Sequence, residues 1–370
     1  MLPLSLYVHY PFCMRKCPYC DFNSYKKDSF DIKDENYLNA LLRDFDSLKD
    51  LVLDRPFVSI YFGGGTPSLF SPSLMGKLLD YVSSHISSDT EISMEANPGT
   101  VSLKSLCEYR SVGINRLSLG VQSFNDNHLK RLGRIHNAKD AKEACENALK
   151  AHFDNLNIDI MHGLLMQSSD EALSDLKIAC DIGCSHLSWY ELTIEEDTAF
   201  GEHPPKLPNE DVLADIESLG FEFLKDRGFN RYEVSGFYKG KKCLHNLNYW
   251  YFYDYAGIGA GAHSKFFNEG KTLRRANVAD PKDFTCGIKS EIFSVDKEDI
   301  PFEFMLNRLR VFNKISKKEF QNTTGLNFSV VEKRLLKAVN MGLLKMDDES
   351  YVLTSLGKTM LNDVLELFLD

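Results

Sequence analysis

Six short runs of β-branched and aromatic residues alternate with six helix-period stretches over the first two thirds of the chain. The runs are SLYVHY (5–10), VSIYF (58–62), EISMEAN (91–97), RLSLGVQSF (116–124), LNIDIMHGL (156–164) and HLSWYELT (186–193). Between them, 35–49 carries apolar residues at Leu38, Leu41, Leu42, Phe45 and Leu48, one face of a helix. The stretches 72–86, 102–112, 138–151, 169–182 and 209–227 behave alike, and Asn209 reads as an N-cap. Six repeats of strand and helix predict an α/β domain with a parallel sheet. An open doubly wound sheet and a barrel or partial barrel both satisfy the alternation, and periodicity does not separate them.

The pattern changes after about residue 235. Residues 236–300 are rich in Gly and Tyr with weak periodicity, and read as an irregular segment docked on the main domain. From Pro301 the chain turns helical (FEFMLNRLRVF, SVVEKRLLKAVNMG). It then makes an acidic hairpin, LLKMDDESYVLT, and ends in SLGKTMLNDVLELFL. The expected organisation is therefore 1–235, 236–300 and a winged-helix-like 301–370. Such a fold serves nucleic-acid binding or caps a neighbouring domain. The balance of acidic and basic residues in 301–370 and the net charge of −10 favour the cap, because phosphate binding needs a basic face. No apolar run approaches the ~18–20 residues of a bilayer span, and MLPLSLYVHYPFC lacks the charged start and cleavage site of a signal peptide. Nine cysteines, an odd number, then read as reduced thiols of a cytoplasmic protein, with transient membrane contact still compatible.

Three of those cysteines demand their own explanation. Cys13, Cys17 and Cys20 form C-x3-C-x2-C directly after the first predicted strand. Pro11 and Pro18 oppose a helix there, since proline removes a donor and clashes within a turn. A loop wrapped around a metal centre accounts for both thiols and prolines. Zinc needs a fourth ligand, for which His9 is a candidate. A [4Fe–4S] cluster held by three thiolates leaves one iron open to a small chelating molecule. Cys180 and Cys184, with Cys107 and Cys145, read as small buried hydrophobes.

The motif, set in YVHYPFC and followed by an aromatic residue, resembles the radical S-adenosylmethionine (SAM) superfamily. From Tyr7 to about residue 280, and more loosely beyond, the chain is similar to its HemN/HemW group, which holds coproporphyrinogen III dehydrogenases and heme chaperones. The resemblance implies a partial (β/α)6 barrel, a [4Fe–4S] cluster on the three cysteines, and SAM chelating the open iron. There, electron transfer from the cluster cleaves SAM to methionine and a 5′-deoxyadenosyl radical. It further implies that Gly64, Gly65 and Thr66 of the GGGTP turn bind the methionine amino group. Tyr7, Tyr19, Glu95, Gln122, Arg134 (in LGRIH) and Asp159 match the other SAM-contacting positions. Read singly, such residues are ordinary polar groups at strand ends; in a parallel barrel they converge on one mouth.

His245 begins HN-x-x-YW (245–250), shortly before YAGIGAGAHS (255–264). A histidine among aromatics is usually a packed residue, yet an imidazole beside apolar rings is also what an axial heme ligand requires. The motif matches one for which heme contact is proposed in the group, so His245 is the expected heme ligand. GIGAGAHS resembles a segment closing the SAM site, with His263 a further candidate contributor.

Other features depart from the dehydrogenase pattern. Phe22 stands where HemN proteins carry a further cysteine, and only a short segment precedes Cys13. HIPFC is HYPFC here, and YGLP is His162-Gly163-Leu164-Leu165. The expected function is a heme chaperone with an acceptor protein and an electron donor such as a flavodoxin or ferredoxin. Radical decarboxylation of coproporphyrinogen III and radical methyl transfer are the alternatives.

Overall fold

The computed structural model describes residues 1–288 and 290–369. Its first part runs β1 (Leu4–Tyr10), α1 (Asp34–Asp46), β2 (Phe57–Gly64), α2 (Pro72–Tyr81), β3 (Glu91–Ala96), α3 (Leu103–Ser111) and β4 (Arg116–Gln122). It continues through α4 (Asp126–Arg131), α5 (Ala138–Lys150), β5 (Leu156–His162), α6 (Ser169–Ile182), β6 (His186–Glu191) and α7 (Glu210–Asp226). Each expected strand and helix is present, and the Asn209 side chain caps α7 through the Val212 amide at 2.9 Å.

Strand order decides the architecture. β1 to β6 pair in sequence order, all parallel. A doubly wound sheet reverses direction at a switch point; this one never does, so it curls as a barrel does. β6 pairs with an antiparallel strand rather than with β1, and the ring stays open. The result is a partial (β/α)6 barrel.

Period-two alternation divides the strand residues between two faces. Leu6, Val8, Ile60, Phe62, Met94, Leu117, Leu119, Ile158, Ile160 and Leu187 are buried in one apolar core with the helices. Burial of each such side chain stabilises by roughly 1.5–3 kcal/mol. The alternate positions carry Ser59, Tyr61, Ser93, Glu95, Arg116, Ser118, Asn157, Asp159 and Ser188. A barrel filled by packing carries branched aliphatics inside. This lumen is polar, and is built to hold something other than its own side chains.

The histidines inside the fold make its stability acid-sensitive. His186 is fully buried, with Nδ1 2.6 Å from Asn157 Oδ1 and Nε2 3.0 Å from Tyr232 Oη. Burial holds its imidazole well below the usual 6.5. The unfolded chain therefore takes a proton below pH 6.5 that the folded chain refuses, and stability is lost as pH falls. Glu95 and Asp175, raised to about 7 and about 6 by burial, act in the opposite sense. The comparison of His186→Gln with wild type isolates the histidine. In urea unfolding at pH 6 and pH 5 the variant should lose up to about 1.4 kcal/mol less per pH unit. Equal slopes would rule this account out.

The segment 236–300 is not irregular. After β7 (Asn230–Arg231) and β8 (Gly236–Tyr238) come α8 (Leu244–Trp250), β9 (Asp254–Ile258), β10 (His263–Asn268), β11 (Lys271–Ala276), α9 (Pro281–Cys286) and β12 (Ile292–Ser294). β9 lies parallel to β1 on its free edge, and β10, β11 and β12 follow antiparallel. The twelve-stranded sheet thus reads β12-β11-β10-β9-β1-β2-β3-β4-β5-β6-β8-β7. A buried charge cluster fixes the new edge: Arg55 Nη2 donates to Asp254 Oδ2 at 2.8 Å, and Lys265 Nζ lies 3.7 Å from Oδ1. Phe267 N also donates to Oδ1 at 2.8 Å, and Lys265 donates to Phe252 O at 2.8 Å.

The C-terminal part has its own core, including Phe304, Met305, Phe320, Val331, Leu335 and Tyr351, which Phe252 joins. Its elements are α10 (Ile300–Arg308), β13 (Ile315–Ser316), α11 (Lys317–Thr324), α12 (Ser329–Asn340), β14 (Leu344–Met346), β15 (Ser350–Leu353), α13 (Ser355–Thr359) and α14 (Leu361–Glu366). Helices followed by a hairpin wing match the expected pattern. α11, polar over most of its length, is an addition to it.

Candidate functional site

The loop after β1 begins as an extended ribbon, Phe12–Cys13 against Tyr25–Lys26, and contains no helix through the three cysteines. Cys20 N closes a turn on Cys17 O at 3.1 Å, and Phe200 N holds Pro18 O at 2.9 Å. The GGGTP turn lies directly beneath. Gly65 N donates to Tyr10 O and Thr66 N to Phe12 O, both at 2.8 Å. A Cβ on Gly65 would sit 2.7 Å from Phe12 O, and one on Gly64, whose φ is +114°, 2.7 Å from His9 Cε1. Gly65 is required because the start of the cysteine loop rests on this backbone, and Gly64 because β1 presses on it and its φ is left-handed.

Above the lumen opens a cavity of about 530 Å³ at the C-terminal ends of the strands. Cys13, Cys17, Cys20, Tyr19, Gly64, Gly65, Thr66, Glu95, Gln122, Arg134 and Asp159 all line it. Tyr7 lines an adjoining cavity of about 380 Å³, which shares Gly64, Glu95 and Phe22 with the first. The three thiols are free. Among the described residues no three His, Cys, Asp or Glu side chains converge on one point as a single metal ion requires. His9, the alternative zinc ligand, has Nδ1 2.9 Å from Tyr7 Oη and Nε2 2.8 Å from Asn23 O. A soft three-thiolate set on one loop, without a fourth ligand, fits an iron–sulfur cluster, in which each sulfur binds a different iron.

Electrostatics grade the cavity from rim to floor. Arg134 Nη1 lies 3.7 Å from the Cys17 sulfur and 3.3 Å from Tyr19 Oη, while Nη2 donates to Gly120 O at 2.5 Å. Burial pushes the Cys13 thiol up to about 11, and the neighbouring cysteines add to the rise. A bound cation or cluster and Arg134 are what would offset three thiolates there. Glu95 accepts from Tyr61 Oη at 2.9 Å and Gly64 N at 3.2 Å. Burial raises it to about 7, with the Asp159 charge contributing. Asp159 accepts from Ser118 Oγ at 2.9 Å and Asn157 Nδ2 at 2.7 Å, and burial raises it too. Two enclosed carboxylates favour a cationic ligand.

Gln122 shows how the backbone aims a side chain. A bulge between Gly120 and Gln122 gives it φ +70°, and its Oε1 accepts from Tyr190 Oη at 2.8 Å. Bulges re-aim side chains near sites in this way.

His245 lies apart from both cavities. It lies on α8, which docks beside β2, and Glu91 accepts the amides of Leu244 and His245 at the helix N-terminus. Its Nδ1 meets Ser59 Oγ at 2.9 Å and its Nε2 meets Tyr249 Oη at 3.0 Å, with the ring stacked on Tyr61 at 4.8 Å. The ring is 1% exposed, lines neither cavity, and burial lowers its basicity to about 3. The other cysteines divide: Cys145, Cys180 and Cys184 are buried as expected, but Cys107 is exposed on α3. A hydrophobe preference does not say which face of a helix it occupies.

Sequence reading missed Tyr61, Arg116, Ser118, Asn157, Ser188, Tyr190 and Asn246, all on the first cavity. For the strand residues among them the signal was available, as polar groups on the face opposite the aliphatics. Arg116 is 2% exposed and its Nε has no partner among the described residues.

Residues 7–177 match the Radical SAM superfamily and residues 295–359 the HemN C-terminal domain. A Haemophilus influenzae protein named heme chaperone HemW is 45% identical, covering 99% of this chain and 98% of that one. The Escherichia coli protein of the same name is 44% identical, with the same coverage of both chains. Coproporphyrinogen III oxidase (HemN) from E. coli, described as a radical SAM enzyme, superimposes with a TM-score of 0.83 at 22% identity, over 99% of this chain and 90% of that one. The HemN likeness establishes the fold. Identity near one half, carried end to end through the cysteine loop, barrel and C-terminal domain, makes this chain a member of the HemW family within the radical SAM superfamily.

Proposed function

We propose that this protein is a heme chaperone. It holds a [4Fe–4S] cluster and SAM at the mouth of the barrel, binds heme beside them, and passes the heme to an acceptor protein. The observation that carries the reading is the full-length identity to proteins named for that function, which the fold likeness to HemN does not match.

In this proposal Cys13, Cys17 and Cys20 hold the cluster. Tyr7, Tyr19, Gly64, Gly65, Thr66, Glu95, Gln122, Arg134 and Asp159 surround SAM. The N–H groups of Gly64, Gly65 and Thr66 are already donated within the protein, so the turn offers a ligand its remaining carbonyls, acceptors suited to an ammonium group. Glu95 and Asp159 supply negative charge to a ligand bearing ammonium and sulfonium, which draws their protons off as it binds. When bound and reduced, by a donor of the flavodoxin or ferredoxin kind, the cluster supplies one-electron chemistry toward SAM. His245 can ligate heme only after one ring nitrogen leaves its partner, Nδ1 from Ser59 Oγ or Nε2 from Tyr249 Oη. Among the described residues no helix is long and apolar enough to cross a membrane.

The test compares two substrates on the anaerobically reconstituted protein. Hemin should bind stoichiometrically and transfer to an apo-acceptor. Coproporphyrinogen III, with SAM and a reductant, should return unchanged by mass spectrometry. Loss of carboxyl groups from the porphyrinogen would establish the dehydrogenase instead, and methylated product the methyltransferase.

A further inference from the structure

The adjoining cavity of about 380 Å³ lies between the GGGTP turn, α8 and the β9–β10 edge, and its wall is mostly aromatic. Tyr7, Phe22, Tyr249 and Tyr255 line it together with His9 and His263. Tyr249 and Tyr255 meet edge to face at 4.5 Å, and Phe22, at the boundary with the first cavity, is 55% exposed. Flat apolar walls of this kind suit a planar aromatic ligand.

Nearly every polar group on that wall is already occupied. Tyr7 Oη is on His9 Nδ1, and His9 Nε2 is on Asn23 O. Tyr249 Oη is on His245 Nε2, and Tyr255 Oη accepts from Arg274 at 2.7 Å. Glu95 is held by Tyr61 and Gly64. His263 is the exception. It opens β10, is exposed, and among the described residues its ring nitrogens have no hydrogen-bond partner.

We propose that His263, not His245, is the axial ligand of the heme iron, with the macrocycle against the Tyr249 and Tyr255 wall. This rests on the heme-chaperone reading above. The HN-x-x-YW segment then serves heme through Tyr249, which His245 holds in place from behind. An imidazole with both nitrogens unengaged coordinates iron without first losing a buried hydrogen bond, whereas His245 must give one up.

Full-length protein with its cluster assembled is loaded with hemin and reduced. Resonance Raman then reads the iron–imidazole stretch, and transfer to apomyoglobin reads heme retention. His263→Ala should abolish the stretch and release heme at least about tenfold faster, a loss of about 1.4 kcal/mol or more. Added imidazole should restore the stretch. Read on the ferric protein before reduction, His263→Tyr should show an iron–phenolate signature, and His245→Ala should keep the imidazole stretch after reduction. Unchanged iron content and circular dichroism in each variant separate ligand loss from fold loss. If His263→Ala keeps the stretch, or His263→Tyr binds heme without the phenolate signature, the assignment of His263 is overturned and the chaperone reading stands. If wild type binds no heme, both are overturned.

Discussion

Cys17→Ala should leave the protein without a [4Fe–4S] cluster. Reconstituted wild type should carry about four irons and a broad absorbance near 400 nm; the variant should carry neither. Cys13→Ala and Cys20→Ala should behave alike, because each sulfur is a separate corner of the same assembly. Substitution of a loop residue that faces solvent, such as Met14→Ala, is the control: Met14 is 54% exposed and lies off the cavity wall. Colorimetric iron and sulfide, with Mössbauer spectra of enriched samples, provide the measurement. Stoichiometric zinc without iron in anaerobically purified wild type would defeat the cluster assignment. So would full cluster occupancy in any one of the three variants.

Asp254→Ala should be among the most destabilising single changes outside the site. Its carboxylate is 1% exposed and faces Arg55 and Lys265, themselves 9% and 1% exposed. Removing it strands two buried cations and the Phe267 amide. Breaking a buried pair in this manner costs about 3–5 kcal/mol. Urea unfolding monitored by circular dichroism should show the midpoint fall by a corresponding amount. A loss below about 1 kcal/mol would mean that water or another anion already serves the cluster. The conservative Asp254→Asn should recover part of the loss through the Phe267 hydrogen bond.

The alternating strands and helices of the barrel were legible in the sequence because each carries one clear period. α6, for instance, runs from the expected Ser169 to Ile182, with Ala172, Leu176, Ala179 and Cys180 on its buried face. What periodicity lacks is pairing order, and the order alone separates a barrel from an open sheet. The edge from β9 to β12 was illegible for a different reason. HSKFFN and KTLRRA alternate poorly, since buried Lys265 and Arg275 are paid for by distant carboxylates, Asp254 and Asp44, that no local pattern reveals.

The site shows the same division. C-x3-C-x2-C and GGGTP are local and were found. His245, expected as a heme ligand from its aromatic segment, has its ring stacked on Tyr61 and its Nε2 on Tyr249 Oη within the protein. Which nitrogen of an imidazole is engaged depends on residues far away in sequence, here Ser59.

The place of β1 in the sheet has a consequence for how the chain matures. One edge of β1 is covered by β2, available once residue 64 is made, but the other waits for β9, at residues 254–258. Until some two hundred further residues have left the ribosome, an apolar strand keeps a row of unpaired backbone groups exposed, and such an edge templates aggregation. Contacts of this sequence separation also form slowly. The cysteine loop hangs from that unfinished strand: Asn23 Nδ2 reaches Ala260 O at 3.1 Å only after β9 has docked. A cluster inserted into the nascent chain, as proposed for the three cysteines, would therefore meet a loop secured at one side alone. On that proposal, iron and sulfur would be delivered best after translation, when the late strand closes the seam.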